Sequence, residues 1–363
     1  MRVLLNATGF SPKIDALNSR TPASLLPLVD RPFVQHVVEL LVAEGATQFD
    51  IALSRDAAAH RELLGDGSRW GVQFRYTETP DPSKPFAELH KVLFENPTEK
   101  ILLASADRLP NLQAVQFGKG ELNDVIFFLQ SPEGLHETFD WSGWAQIPAG
   151  LLKVIDASMD EASAGEALLS AVGSNSLQVF LPPVLSAQSY SELLEAQNAV
   201  MTGKFTGLQL AGQESKFDVR MGNNAVVHPT ATLIGAVFLG QNARVEAHCK
   251  IGPNVVVSSG CIVDRDTTIE NSLIMPNTYV GEALEMIACV ADADRLVHTR
   301  WNSAITITDD MFLAPINNTK QGKHSHRIIK EVGRAIRVVA LAVALPVIGF
   351  AAVSRKLRWR SAR

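Results

Sequence analysis

The chain is poor in cysteine and tyrosine, with three of each in 363 residues. No two cysteines form a CxxC pair, and Met1, Arg2 and Val3 do not begin a secretory leader. A disulfide framework is therefore not expected, and we predict a reducing compartment. Cys249 and Cys261 are predicted to fill small interior positions, where cysteine behaves as a small apolar side chain.

Positive charge is scarce outside the C-terminal part of the chain. The formal net charge is −5, yet from Lys323 onward there are ten Lys or Arg residues and one acid, Glu331. The remainder is strongly acidic, and we expect no nucleic-acid partner. With 46% apolar and 20% charged residues, the chain is long enough for two domains with ordinary cores.

Long apolar runs are absent apart from one. Residues 338–353 (VVALAVALPVIGFAAV) carry no charge and would extend about 24 Å as a helix, against a hydrocarbon core of roughly 30 Å. Lys and Arg flank the run on both sides, and Pro346 interrupts it. We predict a membrane-associated helix over 332–356, spanning or re-entrant, followed by a basic tail over 357–363. A buried core helix is the alternative.

Short apolar runs alternate with helical spacing in the first two hundred residues. Strands are predicted at 3–5, 49–53, 72–76 and 101–104, and helices at 33–43, 58–64 and 86–93. This alternation predicts a Rossmann-like α/β domain over 1–212, with a mostly parallel sheet and helices on both faces. Ligands of such sheets bind beyond the carboxyl ends of the strands, here near Gly9 and Asp107.

A period of six governs the next part of the chain. Branched aliphatic residues recur at every sixth position: Val227, Leu233, Leu239, Val245, Ile251, Val257, Val263 and Ile269. This is the hexapeptide signature of a left-handed parallel β-helix, in which three short strands form one triangular coil and the aliphatic side chain points inward. We predict this β-helix over 222–290, with a homo-oligomer through it as one option, and a connector with short strands over 291–331.

The order of these parts resembles the sugar-1-phosphate nucleotidyltransferases. The likeness covers roughly residues 1–290 and is carried by Pro22 to Leu53, by GDGSRWG at 65–71, by the strand before Asp107 and by the hexads. Residues 277–313 also resemble bacterial members joined to a membrane-embedded undecaprenyl-phosphate sugar transferase. The resemblance implies that a nucleoside triphosphate and a sugar 1-phosphate are joined, with release of pyrophosphate and with Mg²⁺ as cofactor.

The resemblance also implies a phosphate-binding opening, Gly-x-Gly-Thr-Arg-Leu, and a later Pro-Lys-Pro. Aligned without gaps, the two Gly fall on Gly9 and Ser11, the Thr on Pro12 and the Arg on Lys13, while the Lys of Pro-Lys-Pro falls on Ala23. Ser11 adds a Cβ where backbone approaches phosphate, and Pro12 has no amide to donate. Lys13 keeps the charge without the fork of Arg, and Ala23 carries no cation.

The remaining implied site residues also depart from the family. In the base-binding segment, Phe86 and Glu88 stand where small residues leave room for a base. The first of two metal-binding acids falls on Asp107, but the second falls on 185–187, which has no acid. A lone carboxylate binds Mg²⁺ weakly. The candidates are Lys13 and Asp107 for catalysis, Asp107 for metal, and Gly9, Ser11 and Glu88 for substrate.

These departures predict a nucleotidyltransferase-like scaffold that has lost pyrophosphorylase activity. It would hold a nucleotide sugar or sugar phosphate, or dock a separate sugar transferase, at the cytoplasmic face of a bacterial inner membrane during exopolysaccharide or envelope-glycan synthesis. An active sugar-1-phosphate nucleotidyltransferase with a remodelled site is the alternative. Acetyl transfer with His248 as base is a third hypothesis, although no acyl-donor signature accompanies it. Spacing reveals no partner for Asp15 or Asp30.

The apolar run and its basic flanks predict how the protein partitions. The full chain should remain with membranes through high-salt and carbonate washes, because the run inserts and basic neighbours add about 1 kcal/mol each near anionic lipid. A chain ending near Gln321 should be soluble and monodisperse. Cell fractionation measures both, and release by salt alone would indicate a peripheral, electrostatic attachment instead.

Overall fold

The computed structural model describes residues 1–17, 19–88, 97–113, 117, 125–130, 139–172, 176–214 and 218–316. The predicted membrane helix, the basic tail and the later part of the predicted connector lie outside these residues. Within the ranges described, no helix is both long enough and apolar enough to cross a bilayer.

The first part of the chain contains eleven strands and five α-helices among its described residues. The strands are β1 (Arg2–Ala7), β2 (Pro27–Leu28), β3 (Arg31–Pro32), β4 (Gln48–Leu53), β5 (Gln73–Glu78), β6 (Lys100–Ser105), β7 (Arg108–Pro110), β8 (Val125–Gln130), β9 (Asp140–Pro148), β10 (Leu177–Phe180) and β11 (Val184–Ser186). The helices are α1 (Pro12–Asp15), α2 (Phe33–Ala43), α3 (Ala57–Leu64), α4 (Glu161–Ala171) and α5 (Tyr190–Met201), with short 3₁₀ turns at Ala23–Leu25, Ser68–Trp70 and Ala149–Val154.

Seven of these strands form one sheet, in the order β10-β8-β9-β6-β1-β4-β5. Strands β6, β1, β4 and β5 run parallel, as do β10 and β8, while β9 runs antiparallel to both β6 and β8. The prediction of a mostly parallel sheet is therefore confirmed, and the four predicted strands and two of the predicted helices match. The third predicted helix begins at Phe86, but 86–88 form a turn and 89–93 lie outside the described part.

Both faces of the sheet are covered by helices. Val3 and Leu5 of β1 belong to an apolar cluster that also contains α2 and α5, whereas Leu4 belongs to a second cluster with Ala164 and Leu168 of α4. Because successive side chains of a strand point to opposite faces, this division follows directly from the apolar run of β1.

The second part of the chain is built from very short strands. They are β12 (Gln213–Glu214), β13 (Val219–Met221), β14 (Val226–Val227), β15 (Thr232–Leu233), β16 (Val237–Leu239), β17 (Arg244–Val245), β18 (Lys250–Ile251), β19 (Val255–Val257), β20 (Ile262–Val263), β21 (Thr268–Glu270), β22 (Ser272–Ile274), β23 (Thr278–Val280), β24 (Glu285–Ile287), β25 (Cys289–Asp292), β26 (Arg295–His298), β27 (Ser303–Thr306) and β28 (Leu313–Pro315).

Strands β13 to β25 stack as three parallel sheets, with every third strand in the same sheet. Val227 pairs with Val245 and Val245 with Val263, so partners lie eighteen residues, or three hexads, apart. The predicted hexad residues point inward, and those from the second coil onward are at most 2% exposed: Leu239, Val245, Ile251, Val257, Val263 and Ile269. The three stacked parallel sheets are consistent with the predicted β-helix. The left-handed winding of its coils stays a prediction.

The last two coils are each one residue shorter than the earlier ones. Val263 pairs with Val280 and Ile269 with Met286, which are seventeen residues apart. Three residues connect β18 to β19, whereas Asn271 alone connects β21 to β22. The buried series therefore continues at Ile274 rather than at the next sixth position, because the residue is lost at a corner and the strands keep their inward pattern.

The corners of the coils use left-handed backbone conformations. At one corner Asn224, Asn242, Gly260 and Asn277 stack in successive coils with φ between 57° and 72°. Asn and Gly reach this conformation at the least steric cost. An added Cβ at Gly260 would lie 2.5 Å from Asn277 Oδ1, so a side chain at this position would require Asn277 to move.

One outer face of the β-helix packs on the α/β domain. Side chains from four stacked strands belong to the same apolar cluster as α5: Phe238, Val256, Leu273 and Val290. Because these strands are buried on both faces, β16 (VFL) and β19 (VVV) are apolar at successive positions.

A buried acid fixes the segment that leads from α5 to the β-helix. Asp30 Oδ2 accepts hydrogen bonds from the Ala211 amide at 2.7 Å and from Arg31 Nη2 at 2.8 Å, and Asp30 Oδ1 lies 3.1 Å from His36 Nε2. Burial favours the neutral carboxyl, but the bonds from His36, Arg31 and Ala211 outweigh it and lower the pKa of Asp30 to about 2. Asp30 thus has partners that spacing in the sequence does not reveal.

The inward register predicts a sharp contrast between two adjacent residues. Ile251→Asp should destabilise the protein by about 3 kcal/mol or more, because it buries an unpaired carboxylate in the prism. Lys250→Ala, at the exposed neighbouring position, should change the midpoint of urea unfolding little. Equal effects of the two substitutions would contradict the register.

Candidate functional site

Strand β1 ends in a glycine turn, as predicted. Gly9 has φ +74°, and a Cβ there would lie 2.7 Å from Pro22 Cβ, so both conformation and space require glycine. Asn6 Oδ1 accepts hydrogen bonds from the Thr8 amide at 3.2 Å and from Thr8 Oγ1 at 3.0 Å, which fixes the approach to the turn.

The polar groups of the loop after Gly9 form hydrogen bonds within the protein. The Ser11 amide donates to Asp15 Oδ2 at 3.2 Å, and Ser11 Oγ donates to the Gln188 carbonyl at 2.6 Å. Asp15 also accepts from Arg55, and Pro12 has no amide. Ser11 is fully buried, so its side chain is closed to a ligand.

Lys13 joins a polar group at the start of α5. Its Nζ lies 2.8 Å from Glu192 Oε1, and Glu192 Oε2 accepts from Ser186 Oγ. Ser189 Oγ caps α5 by accepting from the Glu192 amide at 3.1 Å. Glu192 therefore brings a carboxylate beside 185–187, where the sequence has no acid. The Ser-x-x-Glu capping pattern at 189–192 could have drawn attention to it.

Asp107 belongs to a buried ion cluster. Asp107 Oδ1 accepts from Ser105 Oγ at 2.6 Å and lies 3.4 Å from Arg108 Nε. Arg108 also pairs with Glu161, whose Oε1 lies 3.4 Å from Asn6 Nδ2. Asp107 and Arg108 are 7% and 4% exposed, so this carboxylate has a cationic partner within the chain.

The environment of Arg108 keeps the guanidinium charged. Burial by itself would lower the pKa of Arg108, but the carboxylates of Glu161 and Asp107 outweigh burial and raise it. Gly143, with φ +82°, leaves room for the cluster, since a Cβ there would lie 2.5 Å from Glu161 Oε1 and 2.9 Å from Ser105 Cβ. Arg108 and Glu161 are not among the predicted site residues, because they are 53 residues apart in the sequence.

Glu88 lies elsewhere, in a small cleft on one face of β1, β4 and β5. The lining includes Leu4, Asn6, Asp50, Ala52, Thr77, Phe86 and Glu88. Gly9, Ser11, Lys13 and Asp107 are not among the lining residues. The predicted candidates thus belong to three groups of side chains: the loop with α5, the Arg108 cluster and this cleft. The first two groups adjoin, because the Ala187 amide donates to the Asp107 carbonyl at 2.8 Å.

The donor set around Asp107 does not fit Mg²⁺. Its carboxylate is already bound by a hydroxyl and a guanidinium, whereas Mg²⁺ needs oxygen ligands in near-octahedral geometry. Across the ranges that the structure describes, no group of three or more His, Cys, Asp or Glu side chains is arranged to hold a metal ion. His248 is exposed at a corner of the β-helix, where its amide donates to Thr230 Oγ1 at 3.0 Å.

The chain thus combines an α/β domain with a parallel β-helix that packs on it. Residues 233–302, within the β-helix and its end, match the family model described as the GMPPB C-terminal domain. A glucose-1-phosphate thymidylyltransferase of Mycolicibacterium smegmatis is 34% identical over 83 residues, 23% of this chain. The match spans 29% of that relative's length.

Two relatives are similar over most of the chain at lower identity. Mannose-1-phosphate guanylyltransferase 1 of Arabidopsis thaliana is 19% identical over 312 residues, covering 81% of this chain and 85% of its own. UTP–glucose-1-phosphate uridylyltransferase of a Synechocystis strain is 22% identical over 360 residues, covering 83% and 88%. Together the matches support a relationship to the sugar-1-phosphate nucleotidyltransferase family, at low identity wherever the alignment is long.

The Arg108 cluster predicts a large and specific loss of stability. Arg108→Leu should destabilise the protein by about 3–5 kcal/mol, because it leaves the carboxylates of Asp107 and Glu161 without their cation. Urea unfolding followed by circular dichroism measures this loss. Arg265→Leu, which removes a half-exposed pair with Glu282, is the matched control and should have little effect. Similar midpoints for the two variants would show that the cluster contributes no more than a surface pair.

Proposed function

We propose that the protein is a nucleotidyltransferase-like scaffold without pyrophosphorylase activity, which holds a nucleotide sugar or sugar phosphate. The class of ligand is supported by the relatives, whose names specify transfer of thymidylyl, guanylyl or uridylyl groups to sugar 1-phosphates. The loss of turnover rests on the condition of the loop after β1.

The hydrogen bond from the Ser11 amide to Asp15 is the observation that carries this proposal. Loop amides bind phosphate because they point donors at an anion. Here the anion is a carboxylate of the same chain, held by Arg55. A triphosphate would have to displace Asp15 and would be repelled by its charge.

The neighbouring positions supply no replacement cation. Ala23 is fully buried in the core, and Ser24 Oγ lies 2.8 Å from His60 Nε2 in the same interior. Burial lowers the pKa of His60, which favours its neutral form at neutral pH. Arg55, which reaches the loop, is engaged by Asp15 and by the Ser19 carbonyl at 3.2 Å.

The charge of Arg108 supports the same proposal. A metal ion at Asp107 would be placed beside a permanently charged guanidinium, which opposes a second cation by direct repulsion. Any bound sugar phosphate would therefore be held without the metal that pyrophosphate release requires.

We further propose attachment at the cytoplasmic face of a bacterial inner membrane, in exopolysaccharide or envelope-glycan synthesis, with a separate sugar transferase as partner. The support is the uncharged run at 338–353 with basic residues on both sides. These residues lie outside the part of the chain that the structure describes, and the attachment rests on the sequence pattern alone.

One observation favours the competing function, an active enzyme with a remodelled site. Glu192 places a carboxylate within reach of Lys13 Nζ and Ser186 Oγ, beside the position of the missing second acid. In that case Lys13 would replace the family's lysine, and Asp107 and Glu192 would replace its two metal-binding acids. Removal of either carboxylate would then abolish turnover.

A pyrophosphate-release assay decides between the two functions. We expect release at least about 10³-fold below that of an ordinary member, since each lost electrostatic contact costs roughly 2.7–4 kcal/mol in the transition state. The assay would use the full chain with Mg²⁺, the common nucleoside triphosphates and sugar 1-phosphates.

Three variants make the assay decisive. Robust release that disappears in Asp107→Asn and Glu192→Gln, but persists in the exposed control Asp140→Asn, would establish the active enzyme and overturn the scaffold. Calorimetric titration with nucleotide sugars tests the scaffold itself, with equal affinity expected in Mg²⁺ and in EDTA.

A further inference from the structure

Exposed apolar side chains are concentrated at the last coil of the β-helix. Ten large apolar residues of the described part are exposed, and four of them lie between residues 287 and 311. They are Ile287 (37% exposed), Trp301 (63%), Ile305 (51%) and Met311 (71%), which we call the terminal face.

The terminal face surrounds an open strand edge. At the end of the β-helix, β26 and β27 continue the sheet of β25, and β28 covers β23, while β24 is the last strand of its sheet among the residues described. Ile287 ends β24. The Thr299 amide donates to the Ala288 carbonyl at 2.9 Å, which places the turn of Trp301 beside it.

Met311 lies at the opposite end of β24. An added Cβ at Gly281, just before this strand, would lie 1.9 Å from the Met311 carbonyl oxygen. Ile305 stands on the strand face opposite to Ala304, which packs towards the α/β domain. The four apolar residues therefore belong to the last coil of the β-helix and to the strands and turns that follow it.

Two turns hold the most exposed side chains outward. Trp301 stacks on His298 with ring centroids 4.0 Å apart and an interplanar angle of 12°. Met311 is at the tip of a turn in which Asp309 Oδ1 accepts its amide at 3.0 Å and the Asp309 carbonyl accepts the Phe312 amide at 3.0 Å. Because these positions are fixed, contact with a partner costs little further ordering.

We propose that the terminal face lies against the headgroup region of a lipid bilayer. Tryptophan favours this region because its ring is apolar and its N–H is polar, and exposed Ile and Met side chains can enter the acyl boundary. This inference rests on the membrane attachment proposed above and adds the surface by which the folded part meets the bilayer.

The course of the chain supports this partner. The chain leaves the β-helix at the same end, where the Ile316 amide donates to the Asn277 carbonyl at 2.7 Å. The uncharged run begins at Val338, 22 residues later. Twenty-two residues span at most about 75 Å when fully extended, which sets the largest distance between the terminal face and a bilayer that holds the run.

The charges around the terminal face favour a neutral headgroup. Arg300 is next to Trp301, but Asp309 and Asp310 precede Met311 and would be repelled by anionic lipid. Zwitterionic phospholipid is therefore the expected contact, and the anionic lipid would be attracted by the basic residues after Lys323.

Tryptophan quenching in vesicles tests the proposal directly. The full chain would carry Trp359→Phe, which removes the tryptophan of the basic tail, and would be reconstituted in phosphatidylcholine with a minor share of phosphatidylglycerol. The phosphatidylcholine is either plain or brominated near the headgroup. We expect bromine to reduce the emission, and we expect Trp301→Phe in this background to abolish most of that reduction.

Two further variants complete the experiment. Trp70→Phe, on the α/β domain, is the matched control and should leave the quenching unchanged. Met311→Ser should weaken the quenching of Trp301 while the chain remains in the membrane fraction.

Each failure has a different meaning. A membrane-bound chain whose quenching is the same with and without Trp301 overturns the terminal face and leaves the scaffold function intact. A chain found in the soluble fraction overturns the membrane attachment as well. Sedimentation in detergent that shows a dimer broken by Trp301→Ser would assign the face to a second copy and overturn the lipid contact.

Discussion

The apolar layer around α5 joins the two architectures of the chain. On one side α5 contributes to the core beneath the seven-stranded sheet, and on the other it receives the outward side chains of the stacked β-helix strands. Its first turn also carries Glu192, which binds Lys13 and Ser186. Helix α5 thus contributes both to the packing of the β-helix and to the position of Lys13. A shift of this helix would therefore change both.

The parts of the fold that were predictable are those in which burial imposes a period. In the β-helix an apolar residue is buried at every sixth position, as at Ile251 and Val257. This burial produces a six-residue period in the sequence that is typical of the fold. The one-residue shortening at Asn271 interrupts the six-residue period, which therefore ends at Ile269. Local composition does not reveal it, because a corner can lose a residue without cost to the strands on either side.

The candidate site was less predictable because it depends on pairs that are distant in sequence. Arg55 reaches Asp15 across 40 residues, and Arg108 reaches Glu161 across 53. Each pair depends on how strands β1, β4 and β6 lie in the sheet, which a motif alignment does not describe. The motif alignment predicts absent groups at Pro12 and Ala23, whereas the ion pairs of the chain near these positions are visible only in three dimensions.

The stacked coils restrict how this chain can change in length during evolution. A residue added within a strand such as β19 would turn every later side chain of that strand to the wrong face. A residue added or lost at a corner is absorbed there, as between β21 and β22. Duplication of about eighteen residues would preserve every register at once, so the β-helix can lengthen in whole coils while single insertions and deletions accumulate only at its three corners.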